Sequence, residues 1–380
     1  MAFQLVCVKC AKKHDSSKYR IYCDACGCLL DALYDTPAAK SARVLGNARG
    51  TARFAPMLPL NHPDRMVTMG EGDTPIVPLP RVGQKLGLGS INAKLEYFNP
   101  TGSFKDRGNF VQVSVLKETG VKEVADGTGG NAGHSFAAYC ARAGITYHGF
   151  AAEALRDHRK LHAIAFHGTR MNWISGGRKA RGEAAREFAE DKGILLMSYA
   201  QNIYFIEGLK TLAYEVAEQM DPLPDHIIVP IGNGSIYQGL YRGFKEMLQD
   251  GRAKRMPRLH GAQTQETPPV VSAFEGRPWT PYDGEAKSRA NGIGVPTPPR
   301  LQDMVAQAKD TGGSFVTVPE ESLLGWQKAL AELEGLLVEP TSAIVVGAAE
   351  VLKKRGIINP TDRVLLPLTG FGIKEAIPGF

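Results

Sequence analysis

The sequence predicts an α/β protein with two lobes built on parallel-rich sheets, preceded by a small cysteine-bearing module. Three observations predict it. Short apolar runs alternate with amphipathic stretches from residue 121 onward, the pattern of strands joined by crossover helices. Gly-rich turns stand where such runs open into helices or end, as at 127–133, 232–234 and 370–372, and ligands of parallel sheets bind at such turns. Five of the six cysteines fall within residues 7 to 28, which sets that segment apart.

Length and composition agree. A chain of 380 residues with 43% hydrophobic content can bury large cores and is long for one compact domain. Lys and Arg total 45 against 39 Asp and Glu, a mild excess of +6 spread along the chain. The short basic clusters at 178–181 and 252–255 lack interleaved aromatics, so they read as solvated faces rather than a nucleic-acid groove. A few cations near an active site would favour an anionic substrate. No signal peptide and no apolar run long enough to span a membrane can be read, so a soluble, cytoplasmic protein is expected, with neither nucleic acid nor membrane as partner.

The first 35 residues carry Cys7-Val-Lys-Cys10 and Cys23-Asp-Ala-Cys26, two C-x2-C knuckles separated by twelve residues, with Cys28 just beyond. Four thiolates so spaced can close a tetrahedral zinc site in a segment with little core of its own. The alternative is a metal-free remnant with reduced cysteines. From 36 to about 69 the chain is rich in Ala, Arg and Pro with weak periodicity, and reads as a linker and wrapping segment whose role cannot be read.

Next comes the turn Tyr97-Phe98-Asn99-Pro100-Thr101-Gly102-Ser103, followed by Phe104-Lys105-Asp106-Arg107-Gly108 as the opening of a helix running to about 115. Lys105 thus sits at a helix N-terminus, where the dipole disfavours a cation and suits an amine that must attack a carbonyl. A solvated lysine at a helix start is the plain alternative.

Beyond it the expected strands are 121–126, 146–151, 169–174, 194–198, 225–230, 258–263 and 363–368. The expected helices are 135–143, 178–192, 206–219, 238–249 and 342–355. The first Gly-rich turn, Asp126-Gly-Thr-Gly-Gly-Asn-Ala-Gly-His-Ser135, would bring backbone N–H groups onto an anion at a helix start. His134 there suits capping or packing better than catalysis. The second turn, Gly232-Asn233-Gly234-Ser235, can cradle a phosphate. No Gly-x-Gly-x-x-Gly occurs at a first βα turn, which argues against a dinucleotide enzyme.

Residues 99–108 and the upstream run Gly70-Glu-Gly-Asp-Thr-Pro-Ile-Val-Pro-Leu79 resemble threonine synthases, within the fold-type-II, tryptophan-synthase-β-like family of pyridoxal-phosphate (PLP) enzymes. The resemblance implies a two-lobed fold, and makes Lys105 both the catalytic residue and the Schiff-base partner of PLP. It assigns Asn131 to the cofactor's phenolic oxygen, Gly232, Asn233, Gly234 and Ser235 to its phosphate, and Thr369 to its pyridine nitrogen. Thr128, Gly129, Gly130 and Ala132 would hold the substrate α-carboxylate, and Asn202 would reach the substrate. A neutral hydroxyl at the pyridine nitrogen makes a milder electron sink, which favours elimination and replacement. The longer threonine synthases and cysteate synthases carry a similar cysteine module, with Cys7, Cys10, Cys23 and Cys26 as its metal ligands here. The runs Ala286–Gly294 and Glu339–Ala343 match the family loosely.

The implied reaction removes a leaving group from an amino acid, as in conversion of O-phosphohomoserine to threonine. The alternative is β-replacement or β-elimination on a serine- or threonine-derived substrate, as in cysteate synthases and amino-acid ammonia-lyases. Three positions depart from the threonine-synthase pattern. Residue 205 is Phe where the family commonly has Arg, 236 is Ile for Asn, and 371 is Phe for His. The first loop also lacks two hydroxyl side chains of that pattern. The expected division is a module at 1–35, a large PLP-binding domain at 36–108 and 206–380, and a small domain at 109–205, in a homodimer. A catalytically silent PLP-binding or metal-binding interaction protein is a further reading.

Overall fold

The computed structural model describes residues 3–34, 45, 48–282, 284 and 286–375; residues 35–44, 46 and 47 of the expected linker lie outside that set. Among the described residues the strands are β1 (Phe3–Cys7), β2 (Lys13–His14), β3 (Leu30–Tyr34), β4 (Ile76–Pro78), β5 (Ser90–Lys94), β6 (Glu123–Gly127) and β7 (Thr146–Ala152). They continue with β8 (Arg170–Ile174), β9 (Leu195–Leu196), β10 (His226–Pro230), β11 (Arg258–Thr264), β12 (Phe315–Val318) and β13 (Arg363–Pro367).

The chain packs as two compact units. The first comprises Met1–Asp73, Lys105–Thr211 and Glu246–Arg252; the second comprises Thr74–Phe104, Leu212–Lys245 and Ala253–Phe380. The division therefore falls at 73/74 and 104/105, and the described residues before 74 pack with the first unit.

In the first unit β1 is the centre of an antiparallel sheet of order β2-β1-β3, with Leu5 opposite Ala32 and Cys7 opposite Leu30. Phe3, Leu5 and Cys7 alternate inward along β1, as half-buried strands do. The second sheet is parallel, in the order β8-β7-β6-β9. One core serves both sheets: Phe3, Leu5, Tyr19 and Leu30 of the cysteine module pack in the same cluster as Phe110, Val113 and Tyr139. The module borrows core from the unit, which answers its own shortage of apolar residues.

The Lys105–Glu118 helix buries every residue from Asp106 to Leu116. A helix buried on all sides has no polar stripe, so its pattern is hard to read from sequence. Its charged Arg107 is fully buried and donates through Nη1 to Thr211 Oγ1 at 3.3 Å.

The second unit has a six-stranded sheet, β12-β11-β10-β13-β5-β4, parallel except for β4 against β5. The Pro340–Lys354 helix covers it with buried Ile344, Val345, Val346 and Ala348. The strands expected beyond residue 121 are present with small shifts in their ends. The expected 206–219 helix is two, Ile203–Leu209 and Thr211–Gln219. No helix among the described residues is long and apolar enough to cross a membrane.

Candidate active site

Lys105 is the first residue of its helix. The turn before it is held in the second unit by the loop after β13. Phe104 donates its N–H to the Thr369 carbonyl at 3.1 Å, Phe371 donates to the Gly102 carbonyl at 3.1 Å, and Ser103 bridges Gly370. Gly102 adopts a left-handed φ of 73°, which this sharp turn requires. Lys374 Nζ adds a 2.7 Å bond to the Thr101 carbonyl. Phe371, where the family pattern has His, stacks on Tyr97 with ring centres 5.3 Å apart. Its work is to brace the lysine turn.

Within the first unit the amine of Lys105 lies 4.3 Å from the centre of the Tyr199 ring and 5.5 Å from that of Phe205. Phe205 is fully buried, and its ring fills the space beside Gly108, where a Cβ would stand 2.5 Å from it. An aromatic pair thus flanks the amine at the side where the family pattern has arginine. Tyr199 carried no readable signal, since it precedes its helix without belonging to any periodic run.

The first Gly-rich loop also belongs to this unit. Gly130 precedes the Asn131–Ala143 helix in extended conformation with no side-chain cap, which leaves the helix start open to an anion. Thr128 turns its hydroxyl inward over Gly133, where a Cβ would sit 1.5 Å from Oγ1. Asn109, on the lysine helix, donates to the Ala132 carbonyl at 3.3 Å and to Ser135 Oγ at 2.8 Å, tying that helix to the loop. His134 stacks on His167 with centres 5.4 Å apart, the packing role expected of it. Asn202 is fully buried and caps the Ile203–Leu209 helix, accepting from Tyr204 N–H at 3.0 Å.

One expectation about this region is corrected. The basic run at 178–181 is not wholly a solvated face: Arg178 and Lys179 are exposed, but Arg181 is buried and reaches the Gly-rich loop. It starts the second turn of its helix on the inner side, a position that a charge count cannot distinguish.

In the second unit, Gly232 and Gly234 stand where side chains would collide, Gly234 with a φ of 77° and a virtual Cβ 2.0 Å from Met304 Sδ. Ser235 begins the Ser235–Gln249 helix, and Asn233 lies half-buried between the glycines. Thr369 Oγ1 lies 3.0 Å from Ser342 Oγ, which in turn accepts from Gly370 N–H at 2.8 Å. Ser342 fixes that hydroxyl, and it lies in the Glu339–Ala343 run that sequence matched only loosely. Ser103 Oγ, two residues before Lys105, is buried without a partner among the described residues.

Each unit by itself carries groups that suit pyridoxal phosphate: the first has the Lys105 amine at a helix start, and the second has the glycine-lined opening of the Ser235–Gln249 helix and the buried hydroxyls of Thr369 and Ser103. The cysteine module fits a metal equally well. Cys7, Cys10, Cys23 and Cys26 bring their sulfurs within 4.8 Å of one another, with 3.4 Å for Cys7–Cys26, 3.6 Å for Cys10–Cys26 and 3.7 Å for Cys10–Cys23. Tetrahedral thiolates about 2.3 Å from zinc are spaced by about 3.8 Å. Hydrogen bonds from the N–H groups of Cys10 and Lys9 pull the Cys7 thiol down to about 6, against its burial. Cys28 stands outside the four.

Comparison with known proteins bears on the same residues. A threonine synthase of Methanocaldococcus jannaschii is 32% identical over 376 residues, covering 97% of this chain and 92% of that one. A threonine synthase of Methanosarcina acetivorans is 30% identical over 377 residues, with 98% and 92% covered. Among solved structures, a maize serine racemase superposes with a TM-score of 0.69 at 21% identity, covering 79% of this chain and 88% of that one. Residues 67–370, from just before the entry segment to just past Thr369, match the family described as pyridoxal-phosphate dependent enzyme. The chain belongs to that family: it has the fold-type-II architecture and is a PLP-dependent lyase.

Proposed function

We propose that the enzyme removes a leaving group from an amino acid and is most like threonine synthase, converting O-phosphohomoserine to threonine. The observation that carries this reading is Lys105 at the opening of its helix, with its amine held against Tyr199 and Phe205. The curated relatives at about 30% identity support the choice of reaction.

Lys105 would hold the cofactor, with Asn131 at its phenolic oxygen, Gly232 to Ser235 at its phosphate and Thr369 at its ring nitrogen. When bound, pyridoxal phosphate supplies an electron sink that lets a proton leave the substrate's Cα. Lys105 Nζ is the base that takes this proton and later returns it. The open start of the Asn131–Ala143 helix, with Thr128, Gly129, Gly130 and Ala132, holds the α-carboxylate, while Asn202 fixes the first turn of the helix that carries Phe205. Buried Phe205 and half-buried Tyr199 keep water from the amine. A zinc ion in Cys7, Cys10, Cys23 and Cys26 is structural, since all four positions are protein thiolates. We further infer a cytoplasmic homodimer.

A second reading, β-elimination or replacement on serine or threonine derivatives, is favoured by Phe205, a neutral buried ring where a phosphate-bearing side chain would meet a cation. Purified enzyme given O-phosphohomoserine, O-phosphoserine, threonine and serine separates the two by the release of phosphate, threonine or 2-oxoacid. Phosphate and threonine from O-phosphohomoserine are expected; 2-oxoacid from threonine or serine alone would establish the second reading instead. In parallel, an absorption band near ~410–420 nm that disappears in Lys105→Ala is expected, and a Lys105→Ala protein that keeps the band would overturn the role of the lysine.

A further inference from the structure

We propose that Glu266 and Glu320 are positioning residues for the cofactor phosphate: together they clasp residues 287–289 and so hold the Gly292–Ile293 turn as one wall of the Gly232–Ser235 cradle. This rests on the reading of that cradle as the phosphate site.

The fold brings the two carboxylates together. β11 and β12 are parallel neighbours in the second unit, with Thr264 opposite Val318. Glu266 and Glu320 each stand two residues past those partners, at the carboxyl ends of adjacent strands, where parallel sheets take their ligands. Glu320 also opens the Glu320–Glu334 helix, a place that suits a negative charge. Both acids are half-buried, and charges so placed need hydrogen-bond donors. Residues 287–289 supply four. Lys287 and Ser288 donate their N–H groups to the two oxygens of Glu266, at 2.7 and 2.6 Å. Arg289 donates its N–H to Glu320 Oε1 at 2.8 Å, and the Ser288 hydroxyl donates to Oε2 at 2.7 Å. Ser288, buried, thus spans the two acids. Bonds of this charge-assisted kind are about twice as strong as neutral ones.

From the clasp the constraint runs to the cradle. Ser288 Oγ accepts the Ala290 N–H at 3.1 Å, and the Ala290 carbonyl accepts the Ile293 N–H at 3.0 Å. Gly294 closes the loop on its own beginning, since a Cβ there would stand 2.2 Å from Ala286 Cβ. The turn so formed lies against Gly232, where a Cβ would be 3.1 Å from Ile293 Cα and 3.2 Å from the Gly292 carbonyl oxygen. On the other side, a Cβ at Gly292 would be 3.0 Å from Thr341 Oγ1, next in sequence to the serine that bonds Thr369. The wall is main chain, and the clasp grips main chain. Removing either acid leaves backbone N–H groups at 287–289 unmatched and frees the wall.

The test uses the full chain freed of cofactor and titrated with pyridoxal phosphate or with pyridoxal, which has the same aldehyde and no phosphate. Dissociation constants are read from the absorption band. Wild type should bind pyridoxal phosphate more tightly by about 100-fold or more. Glu266→Ala and Glu320→Ala should each weaken pyridoxal phosphate by about tenfold or more, while pyridoxal moves less than about threefold. Glu266→Gln, which keeps one acceptor oxygen, should fall between wild type and Glu266→Ala. Gly232→Ala, which presses on the same wall from the cradle side, should lower the preference too, and its combination with Glu266→Ala should cost less than the product of the separate losses. Equal losses for the two ligands, as general destabilisation would give, would overturn the proposal. Should both alanine variants fail to fold, Ser288→Ala, which removes the hydroxyl alone, decides by the same ratio. A wild type that binds both ligands alike overturns the cradle reading and this one together; a wild type that prefers pyridoxal phosphate, with clasp variants that keep that preference, overturns the clasp alone.

Discussion

Asn202 donates through Nδ2 to the hydroxyl of Tyr19, while its Oδ1 receives the N–H of Tyr204. The bond joins the cysteine module to the helix that carries Phe205, and through Phe205 to the surroundings of Lys105. Tyr19 and Phe3 also pack their rings on Tyr204, at 5.1 and 6.4 Å between centres. At the far end of that helix Tyr34 bonds Glu207, and Lys210 is fully buried between Glu207 at 2.7 Å and Glu246 at 2.9 Å. Burial alone would pull the Lys210 ammonium down, but the two carboxylates carry it above its usual value.

Tyr19→Phe leaves a buried Asn202 amide proton unmatched and should cost about 1–3 kcal/mol. The expected result is a lower urea midpoint with KM unchanged. A tenfold rise in KM at an unchanged midpoint would instead mark Asn202 as a substrate ligand that Tyr19 merely orients.

Metal removal should be visible at the same junction. One zinc per chain is expected, and chelation should expose four fast-reacting thiols, those of Cys7, Cys10, Cys23 and Cys26. Because Tyr19 and Tyr34 dock on the Ile203–Leu209 helix, the near-ultraviolet circular dichroism should fall together with the cofactor band. Loss of zinc with both signals intact would show the module to be uncoupled from the amine.

A different pair governs acid stability in the second unit. His260 accepts Ser314 N–H at Nδ1, at 3.1 Å, so its proton sits on Nε2 and is donated to His226 Nδ1 at 2.9 Å. His226 then donates through Nε2 to Asp362 at 3.1 Å. Burial pulls His260 down to about 3 and lowers His226 as well. A histidine depressed in the folded state stabilises fully above its unfolded value near 6.5, and that stability drains as pH falls toward about 3. At 1.4 kcal/mol per pH unit, His260 should cost on the order of 2 kcal/mol by pH 5. Half-buried Asp126 and buried Glu71, both raised chiefly by loss of solvation, act in the opposite sense, so the measurement is a difference. The unfolding free energy of wild type should fall more between pH 7 and pH 5 than that of His260→Asn, which keeps an acceptor for Ser314; parallel curves would refute this.

Much of this was legible in sequence because the chemistry was local. Lys105, the Gly-rich turns and the cysteine knuckles are contiguous signals, and their surroundings follow from a few residues on each side. What escaped was set by distant partners. Ser90–Lys94 alternates polar and apolar residues, Ile91 and Ala93, over only five positions, too short a signal to mark β5, which β13 and β4 fix by pairing with it on either side. Arg181 reads as one charge among several until its helix is laid against the end of β6. Asn109 and Ser342 act through residues 23 to 28 positions away, and no spacing rule reaches so far.

The contact between the lysine helix and the Ile203–Leu209 helix yields the sharpest test. Two glycines allow it, one on each side. A Cβ at Gly208 would lie 2.2 Å from the Arg107 carbonyl oxygen and 3.0 Å from Gly108 Cα, both backbone atoms that cannot step aside. A Cβ at Gly108 would meet the Phe205 ring at 2.5 Å, a side chain that can be shortened. Each alanine substitution should destabilise by about 1–3 kcal/mol through overpacking, and each should weaken cofactor binding because the helices part where Lys105 begins. The two should differ in rescue. Phe205→Ala removes the ring and makes room for the new methyl group in Gly108→Ala, so the double variant should recover part of the lost urea midpoint relative to Gly108→Ala alone. The same change gives no relief to Gly208→Ala, whose obstacle is main chain. If Phe205→Ala restored both or neither, the packing of these helices on Gly108 and Gly208 would not be what holds Lys105 in place.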